Sequence, residues 1–321
     1  MSGLDPVAGT AGNYRQWARE AAGLSPAYES LAIAVAGDRV VLDFLSALSP
    51  PKQQPNLLFA AARYLLGRPA EIGDLRALVS TRPADLSGVM LARRTQTNEP
   101  ARCATLLPAL GQLPEPLALI EVGASAGLTL LVDRYSYDYD GLHLAGADPQ
   151  APTLHCRVRG PVPVPSRLPA IAWRAGLDLS PLDVTSDEDM AWLSCLVWPD
   201  EGDRQERLSA AIAAARRHPP PVHRGDLRTD LAALAATAPA GATLVIYHSA
   251  VLAYLSPEDR EGFASTVRAL NCVWLANEAP GVVPGVGTPD VYRDPGPFIL
   301  VRDGSEALAI ADGHGSWLHW L

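Results

Sequence analysis

The segment IEVGASAGLTLL, residues 120–131, is the feature that most restricts how this chain can fold. It closes a short apolar run, turns abruptly at Gly123 and Gly127, and continues as an apolar stretch with helical spacing. A strand, a tight glycine turn and a helix in this order are typical of the unit that opens a parallel α/β sheet. Because glycine and serine allow close approach of the backbone, the segment also predicts a site for a nucleotide-type ligand.

The sequence after this segment alternates between apolar strands and helical stretches, which indicates a parallel sheet. Two final strands, PFILVRDG and EALAIADG, are joined through Asp303-Gly304-Ser305, a turn that predicts an antiparallel pair. We therefore expect residues 113–321 to form an α/β domain with a Rossmann-like sheet of class I methyltransferase type, mostly parallel with an antiparallel C-terminal strand. The segments GLHLAG and TLHCRVRG predict a small hairpin within an insertion at about residues 141–170, and the sequence from about 187 to 217 predicts one long helical region.

Residues 1–112 carry a different pattern, with apolar residues at three- and four-residue spacing throughout. Ser25-Pro26 is a typical helix start, with an N-cap followed by a first-turn proline. This part of the chain predicts an all-helical cap or substrate domain.

Charge and cysteine content narrow the class of partner. The net charge is −9, the only lysine is Lys52, and the four cysteines include no C-x-x-C pair. An acidic chain of this kind is not expected to bind nucleic acid, and the cysteine spacing predicts no metal site. Without an N-terminal leader or a long apolar span, the sequence predicts a soluble cytoplasmic protein that acts on a small molecule and does not bind a membrane.

Several residues around the glycine turn are candidates for holding the ligand. Glu121 ends the strand and is placed to meet an ammonium group, whereas Ser125 stands where a dinucleotide pyrophosphate requires bare backbone. Asp178 is a candidate for a ribose hydroxyl or a structural turn residue. Asp226 and Leu227 are candidates for an adenine ring, with a helix N-cap as the alternative for the aspartate. Together with Gly123 and Gly127, these residues predict S-adenosylmethionine as the cofactor.

Two further groups of polar residues are candidates for chemistry. His248 and Glu278 end apolar strands, at the edge where open α/β sheets bind ligands, and either is a candidate catalytic base or a residue hydrogen-bonded inside the protein. The loop RRTQTNEPAR places Arg94, Gln96, Asn98 and Glu99 together as candidate substrate contacts. Helix capping is the alternative for this loop.

Five blocks of the sequence carry a resemblance to a known family. They are RTQTNEPARCATLLPAL, LALIEVGASAGLTLLVDRYSYDY, WRAGLDLSPLDV, LVWPDE and HSAVLAYL. In these blocks the chain resembles the bacterial family called domain of unknown function 2332, over nearly its whole length. The resemblance implies a fold similar to class I methyltransferases and marks Gln96–Glu99 and Glu121–Gly127 as family hallmarks.

Three functions remain open on the sequence alone. The first is a methyltransferase that uses S-adenosylmethionine on a small acceptor held between the helical and Rossmann-like domains. The second is a non-catalytic or regulatory protein that binds an adenosyl ligand. The third is a nicotinamide-dependent oxidoreductase, which Ser125 and the C-terminal hairpin disfavour. The sequence leaves the methyl acceptor and the oligomeric state open.

Overall fold

The chain forms two compact units in the computed structural model, which describes residues 6–290 and 297–321. Of the described residues, unit 1 comprises 6–97 and 187–206, and unit 2 comprises 98–186, 207–290 and 297–321. Residues 98–112, expected in the helical domain, group with the sheet, and residues 187–206 group with the helices.

The α-helices of the described ranges are α1 (Pro6–Ala21), α2 (Pro26–Ala36), α3 (Arg39–Ser46), α4 (Pro55–Leu66), α5 (Ile72–Thr81), α6 (Pro83–Ala92), α7 (Arg102–Leu110), α8 (Asp187–Cys195), α9 (Gly202–Arg217), α10 (Leu231–Ala235) and α11 (Pro257–Ala269). Single turns of 3-10 helix lie at Pro50–Lys52, Leu128–Leu131 and Leu252–Tyr254. In this set of residues no helix has the length and apolar character needed to cross a membrane.

Unit 1 is helical, as its spacing predicts. Ser25 caps α2 by accepting a hydrogen bond from the amide of Tyr28, which confirms the predicted start. The core of the unit is an aromatic cluster in which Phe59 packs against Tyr28 and Trp17, and Trp17 also packs edge-on against Trp198. Large rings in such contacts supply much of the apolar area that holds short helices together.

The strands of unit 2 are β1 (Leu117–Val122), β2 (Ser136–Tyr139), β3 (Leu142–Leu144), β4 (Thr153–His155), β5 (Arg157–Arg159), β6 (Ile171–Asp178), β7 (Val222–Arg224), β8 (Thr243–Ser249), β9 (Val273–Glu278), β10 (Phe298–Arg302), β11 (Glu306–Ala311) and β12 (Trp317–Trp320). Within the described residues, nine of them form one sheet in the order β5-β12-β11-β10-β9-β8-β1-β6-β7, and β3-β2-β4 form a second, small sheet.

The large sheet confirms the predicted α/β class. Its strands β7, β6, β1, β8 and β9 are parallel, and β10 and β11 follow as the predicted antiparallel pair. Counted along the chain, the parallel strands lie in the order third, second, first, fourth, fifth. The order therefore reverses between β1 and β8, and ligands of open α/β sheets bind beyond the carboxyl ends of the strands at such a reversal.

Local structure differs from the sequence prediction in three places. The stretch LTLLVDRY after the glycine turn forms one 3-10 turn and not a helix. GLHLAG and TLHCRVRG do not pair with each other, because β3 pairs antiparallel and β4 parallel with β2. The helical region predicted from 187 to 217 is divided into α8 and α9.

Candidate functional site

The glycine turn after β1 is shaped by close packing against the protein itself. Gly123 and Gly127 both have a left-handed backbone, with φ of 72° and 70°. A Cβ at Gly123 would lie 2.4 Å from Cγ2 of Val251, and one at Gly127 would lie 2.8 Å from atoms of Pro220 and Val222. Only glycine fits both positions, so the small residues predicted here are explained by neighbouring side chains.

The backbone amides of this turn are used inside the protein. Their acceptors are the carbonyl of Leu177 for Gly123 and Ala124, the Asp178 carboxylate for Ser125, the carbonyl of Ala124 for Gly127 and the Asn98 side chain for Leu128. Among the amides of residues 123–128, that of Ala126 alone has no acceptor within the described protein. The turn therefore lacks the set of converging N–H groups that holds a phosphate at the start of a helix.

Glu121 is buried beneath the turn, with one carboxylate oxygen committed and the other unpaired. Its Oε1 accepts a hydrogen bond from the hydroxyl of Thr129, whereas Oε2 has no partner within the described protein. Burial raises the pKa of Glu121 to about 8, helped by the charge of Asp178 and opposed by the Thr129 hydroxyl and by Arg102. At neutral pH the side chain is therefore mostly protonated.

Asp178, at the end of β6, braces the turn. Its Oδ2 accepts from the amide of Ser125 at 2.8 Å and its Oδ1 from the amide of Ser180 at 2.7 Å. A carboxylate has lone pairs for about four hydrogen bonds, so Asp178 retains acceptor capacity for a ribose hydroxyl. The structure thus gives this residue the turn role that the sequence left open and leaves room for the ligand role.

Asp226 and Leu227 follow β7. The Asp226 carboxylate accepts from the backbone amide and the guanidinium of Arg228, and this bonding to Arg228 lowers its pKa. Leu227 is partly buried against the apolar core on one face of the sheet. Asp226 does not cap α10, which begins after Asp230.

His248 is completely buried and bonded at both ring nitrogens. Its Nδ1 lies 2.7 Å from Oε1 of Glu278, and its Nε2 accepts from the indole N–H of Trp274 at 2.9 Å. Since indole nitrogen is a donor only, the proton of a neutral His248 lies on Nδ1 and is donated to Glu278. For Nε2 of His248 to accept a proton, its hydrogen bond from Trp274 would first have to break.

The Glu278 carboxylate holds the loop that follows β8. Its Oε1 also accepts from the amides of Val251 and Leu252, at 2.8 and 3.0 Å. Its Oε2 is buried without a partner in the described chain. Oε1 of Glu278 therefore holds His248 and the loop in place, whereas Oε2 makes no hydrogen bond in the described chain.

Asn277 lies on the same face of the sheet as Glu121. Glu121 is in register with Tyr247, and Asn277 is in register with Ser249, two residues further along β8. Side chains two residues apart on a strand share a face, whereas His248 and Glu278 occupy the opposite one. The Asn277 amide donates to Ser249 Oγ at 2.9 Å, and its own oxygen is buried and unpaired in the described structure.

The residues of the polar loop 93–102 are divided between the two units. Arg94 and Gln96 belong to unit 1, where the Arg94 side chain is exposed and Gln96 is half-buried. Asn98 and Glu99 are buried in unit 2, where Asn98 accepts from the amide of Leu128 and Glu99 accepts from Arg207 and from the amide of Ala101.

Sequence reasoning missed two residues of this region. Arg102 is buried and donates to the carbonyls of Ser249 and Gly313, and Thr129 donates to Glu121. Thr129 stands eight residues after Glu121 in a stretch that was predicted to be helical, so the only signal for it was its position near the turn. The signal for Arg102 was its place in the same polar loop as Asn98.

The comparisons with known proteins identify a family. No curated protein and no solved structure matches the chain. A family described as an uncharacterized protein conserved in bacteria matches residues 11–320, almost the entire sequence. The chain therefore belongs to this bacterial family, domain of unknown function 2332.

Proposed function

We propose that unit 2 binds S-adenosylmethionine at the carboxyl ends of β1 and β8, and that the protein transfers its methyl group to a small-molecule acceptor. One observation carries the proposal. Buried side-chain polar atoms without a partner in the described chain include five in this part of the sheet, on Glu121, Ser125, Tyr247, Asn277 and Glu278. Buried polar groups are normally hydrogen-bonded, so a group of them at a strand reversal is best explained by a ligand that completes their bonds.

The residues present fit such a cofactor. The free oxygen of Glu121 and the hydroxyl of Ser125 would meet the methionine end, Asp178 would accept from the ribose, and Leu227 would pack on the adenine. S-adenosylmethionine, when bound, supplies an electrophilic methyl group on a sulfonium. The proposal includes a sheet of class I methyltransferase type, which the strand order and the antiparallel β10 support.

Backbone strain supports a functional role for the same edge. Ser125, after β1, and Ala250, after β8, have φ of 52° and 58°, although neither is glycine. Left-handed backbone at such residues costs of order 1–3 kcal/mol and is concentrated at ligand sites. Both residues follow the two strands between which the order of the sheet reverses.

The work of this chain in methyl transfer would be to position the acceptor and to exclude water. Alignment of the two reactants supplies much of the acceleration, and a base is needed only when the acceptor must lose a proton. Of the two predicted bases, Glu278 has an uncommitted oxygen, whereas His248 is bonded at both nitrogens. Glu278 is therefore the stronger candidate.

Ligand binding tests the proposal first. Calorimetric titration and thermal melting of the full chain with S-adenosylmethionine, S-adenosylhomocysteine and NAD should show stabilisation by the first two alone, because a ligand that binds only the folded state raises its stability. An acceptor screen would then detect S-adenosylhomocysteine as product. Absence of binding by both adenosyl compounds would remove the proposal.

A second candidate function is binding of an adenosyl ligand without turnover. The observation in its favour is the closed set of bonds among His248, Trp274 and Glu278, which leaves one carboxylate oxygen as the available proton acceptor in that group. Tight binding of S-adenosylmethionine with no product across oxygen, nitrogen and carbon acceptors would favour this function over methyl transfer.

A further inference from the structure

Glu121 and Tyr247 stand side by side on one face of the large sheet. They are register partners on β1 and β8, and such neighbouring strands lie about 4.8 Å apart. Both side chains are buried, and each keeps one oxygen without a partner in the described structure, Oε2 of Glu121 and the phenol oxygen of Tyr247. Two adjacent strands therefore present two unpaired oxygens at one place.

Thr129 lies next to both of these side chains. Its hydroxyl donates to Oε1 of Glu121. Burial raises the pKa of Tyr247, and the Thr129 hydroxyl acts on it in the opposite direction, although the Tyr247 oxygen makes no hydrogen bond within the described chain. A single hydroxyl group thus adjoins Glu121 and Tyr247, which keeps their two unpaired oxygens within reach of one ligand group.

Both unpaired oxygens carry a proton at neutral pH. Burial raises the pKa of Glu121 to about 8 and raises that of Tyr247 above its usual range. Because Oε1 of Glu121 accepts from Thr129, the carboxyl proton lies on Oε2. The two groups are therefore donors, and a buried donor left unpaired is costly. A neutral carboxylic acid and a phenol can together donate two hydrogen bonds to one oxygen, as in oxyanion holes built from these groups.

The charged groups around the pair favour an oxygen with negative charge as the missing acceptor. Against the effect of burial, Arg102 acts to lower the pKa of Glu121 and Arg174 acts to lower that of Tyr247. Three further titratable groups near the pair make hydrogen bonds elsewhere, namely Asp178 with the amides of Ser125 and Ser180, Cys103 with the carbonyl of Thr129, and Tyr135 with the carbonyl of Leu128. A carboxylate oxygen of a ligand would satisfy both donors at once.

We infer that Glu121, as a neutral acid, and Tyr247 each donate a hydrogen bond to the carboxylate of the ligand, and that this pair selects ligands that carry such a group. In S-adenosylmethionine the carboxylate belongs to the methionine end, which the proposed function assigns to Glu121. The inference deepens that function and rests on it for the adenosyl part of the ligand.

A ligand series that removes the carboxylate tests the inference first, by calorimetric titration of the full wild-type chain. The compounds are S-adenosylmethionine, its decarboxylated form and 5′-methylthioadenosine, which lacks the amine as well. S-adenosylmethionine should bind about tenfold or more tightly than its decarboxylated form, because hydrogen bonds to a charged group are the stronger ones. Equal affinity of these two compounds would overturn the inference and leave the proposed function standing.

The variant Tyr247→Phe assigns the effect to the pair. It should weaken S-adenosylmethionine about tenfold or more, while the affinity for the decarboxylated form changes less than about twofold. Its stability to denaturant should match the wild type, because the hydroxyl has no partner in the described chain. Tyr254→Phe is the matched control, since that side chain is exposed. Unchanged affinities with a loss of stability would show that the Tyr247 hydroxyl is bonded inside the protein, and the inference would be overturned.

The pH dependence of binding tests the part of Glu121. S-adenosylhomocysteine is the probe, because it lacks the alkali-labile sulfonium. Glu121 donates only while it is protonated, whereas the amide of Glu121→Gln donates at every pH. Relative to this variant, the affinity of the wild type should fall about tenfold from pH 7 to pH 9, and the ratio cancels the titration of the ligand. A constant ratio would overturn the inference. If either variant fails to fold, the wild-type ligand series still decides.

Methionine and methioninol, which lacks the carboxylate, separate the inference from the proposed function. If no adenosyl compound binds, the proposed function fails. Thermal stabilisation of the wild type by methionine, but not by methioninol and not in Tyr247→Phe, would then support the donor pair by itself. If methionine also has no effect, the inference fails together with the proposed function.

Discussion

The two faces of the sheet in unit 2 carry polar residues at the same edge but treat them differently. On one face, the His248, Trp274 and Glu278 side chains form a buried chain of hydrogen bonds in which both histidine nitrogens are used. On the other face, Glu121 and Asn277 are equally buried, and each keeps an oxygen without a partner in the described structure. On the first, here called the closed face, Oε2 of Glu278 is the one uncommitted polar atom of these three side chains in the described structure, whereas the second, the open face, keeps unpaired atoms on Glu121, Tyr247 and Asn277.

This difference shows that a polar residue at a strand end is not, by its position alone, free to bond a ligand. Phe263 from α11 packs edge-on against both His248 and Trp274, so the closed face is part of an apolar core. The open face is covered by the 3-10 turn at Leu128–Leu131, whose Thr129 uses one oxygen of Glu121 only. The covering element therefore decides which polar groups are left for function.

The comparison predicts that substitution on the closed face mainly affects folding. His248→Ala removes two buried hydrogen bonds and leaves the Trp274 indole N–H unpaired in a new cavity. The free energy of unfolding should fall by about 4 kcal/mol, as found when a buried bonded pair loses one partner. Chemical denaturation measures the loss.

His143→Ala is the control for this variant, because that side chain is exposed on β3, and its loss should change stability little. A His248→Ala protein with wild-type stability and lost methyl transfer would contradict the closed face and restore His248 as a catalytic candidate.

A second prediction concerns the contact that joins the two faces. Gly123 follows Glu121 on the chain, and its missing side chain makes room for Val251, whose amide is bonded to Glu278. Gly123→Ala should lower the free energy of unfolding by about 3 kcal/mol, through left-handed strain and a 2.4 Å overlap with Val251. It should also weaken ligand binding, measured by calorimetry, because the turn must shift.

The matched control is Gly262→Ala in α11, where no atom lies within 4 Å of the new Cβ. Alanine in a helix interior is favoured over glycine by up to about 1 kcal/mol, so this variant should be as stable as the wild type or more so. Equal stability of both variants would show that the turn adapts and that the two faces are independent.

Much of the fold could be predicted from sequence because local patterns determine it. Apolar spacing located the helices of unit 1, and the alternation of strands and helices predicted the parallel sheet with its final hairpin. The helix expected after Gly127 is wrong, because the Leu128 amide donates to Oδ1 of Asn98 and the Leu128 carbonyl accepts from the Tyr135 hydroxyl, and Leu128–Leu131 forms a 3-10 turn. A partner as distant along the chain as Asn98 leaves no local signal.

The strand-end positions of the candidate residues were predictable from the sequence, but their hydrogen bonding was not. Strand ends and the glycine turn correctly placed Glu121, Asp178 and His248 at one edge of the sheet. Whether a polar atom of these residues is already hydrogen-bonded depends on partners such as Trp274 and Thr129. Sequence spacing gives no distance between such side chains. The same limit applies to Asn98 and Glu99, which accept hydrogen bonds from Leu128 and Arg207 within unit 2.

The pH dependence of the open face is the smallest expected effect when it is counted per pH unit. The pKa of Glu121 is raised from 4.5 to about 8, so between these values the folded chain holds more protons at this site than the unfolded chain. Stability from this group is therefore complete below about pH 4.5 and is lost as the pH rises to about 8.

Glu121→Gln removes the titration while keeping the size of the side chain. Its free energy of unfolding relative to the wild type should rise by about 1 kcal/mol for each pH unit from pH 5 to pH 8 and then level off, an order-of-magnitude value from about 1.4 kcal/mol per pKa unit. Denaturant titrations of both proteins at several pH values measure this difference, and subtraction cancels the other titrating groups. A difference independent of pH would mean that Glu121 is ionised in the folded protein, and the open face would then already hold a compensating charge.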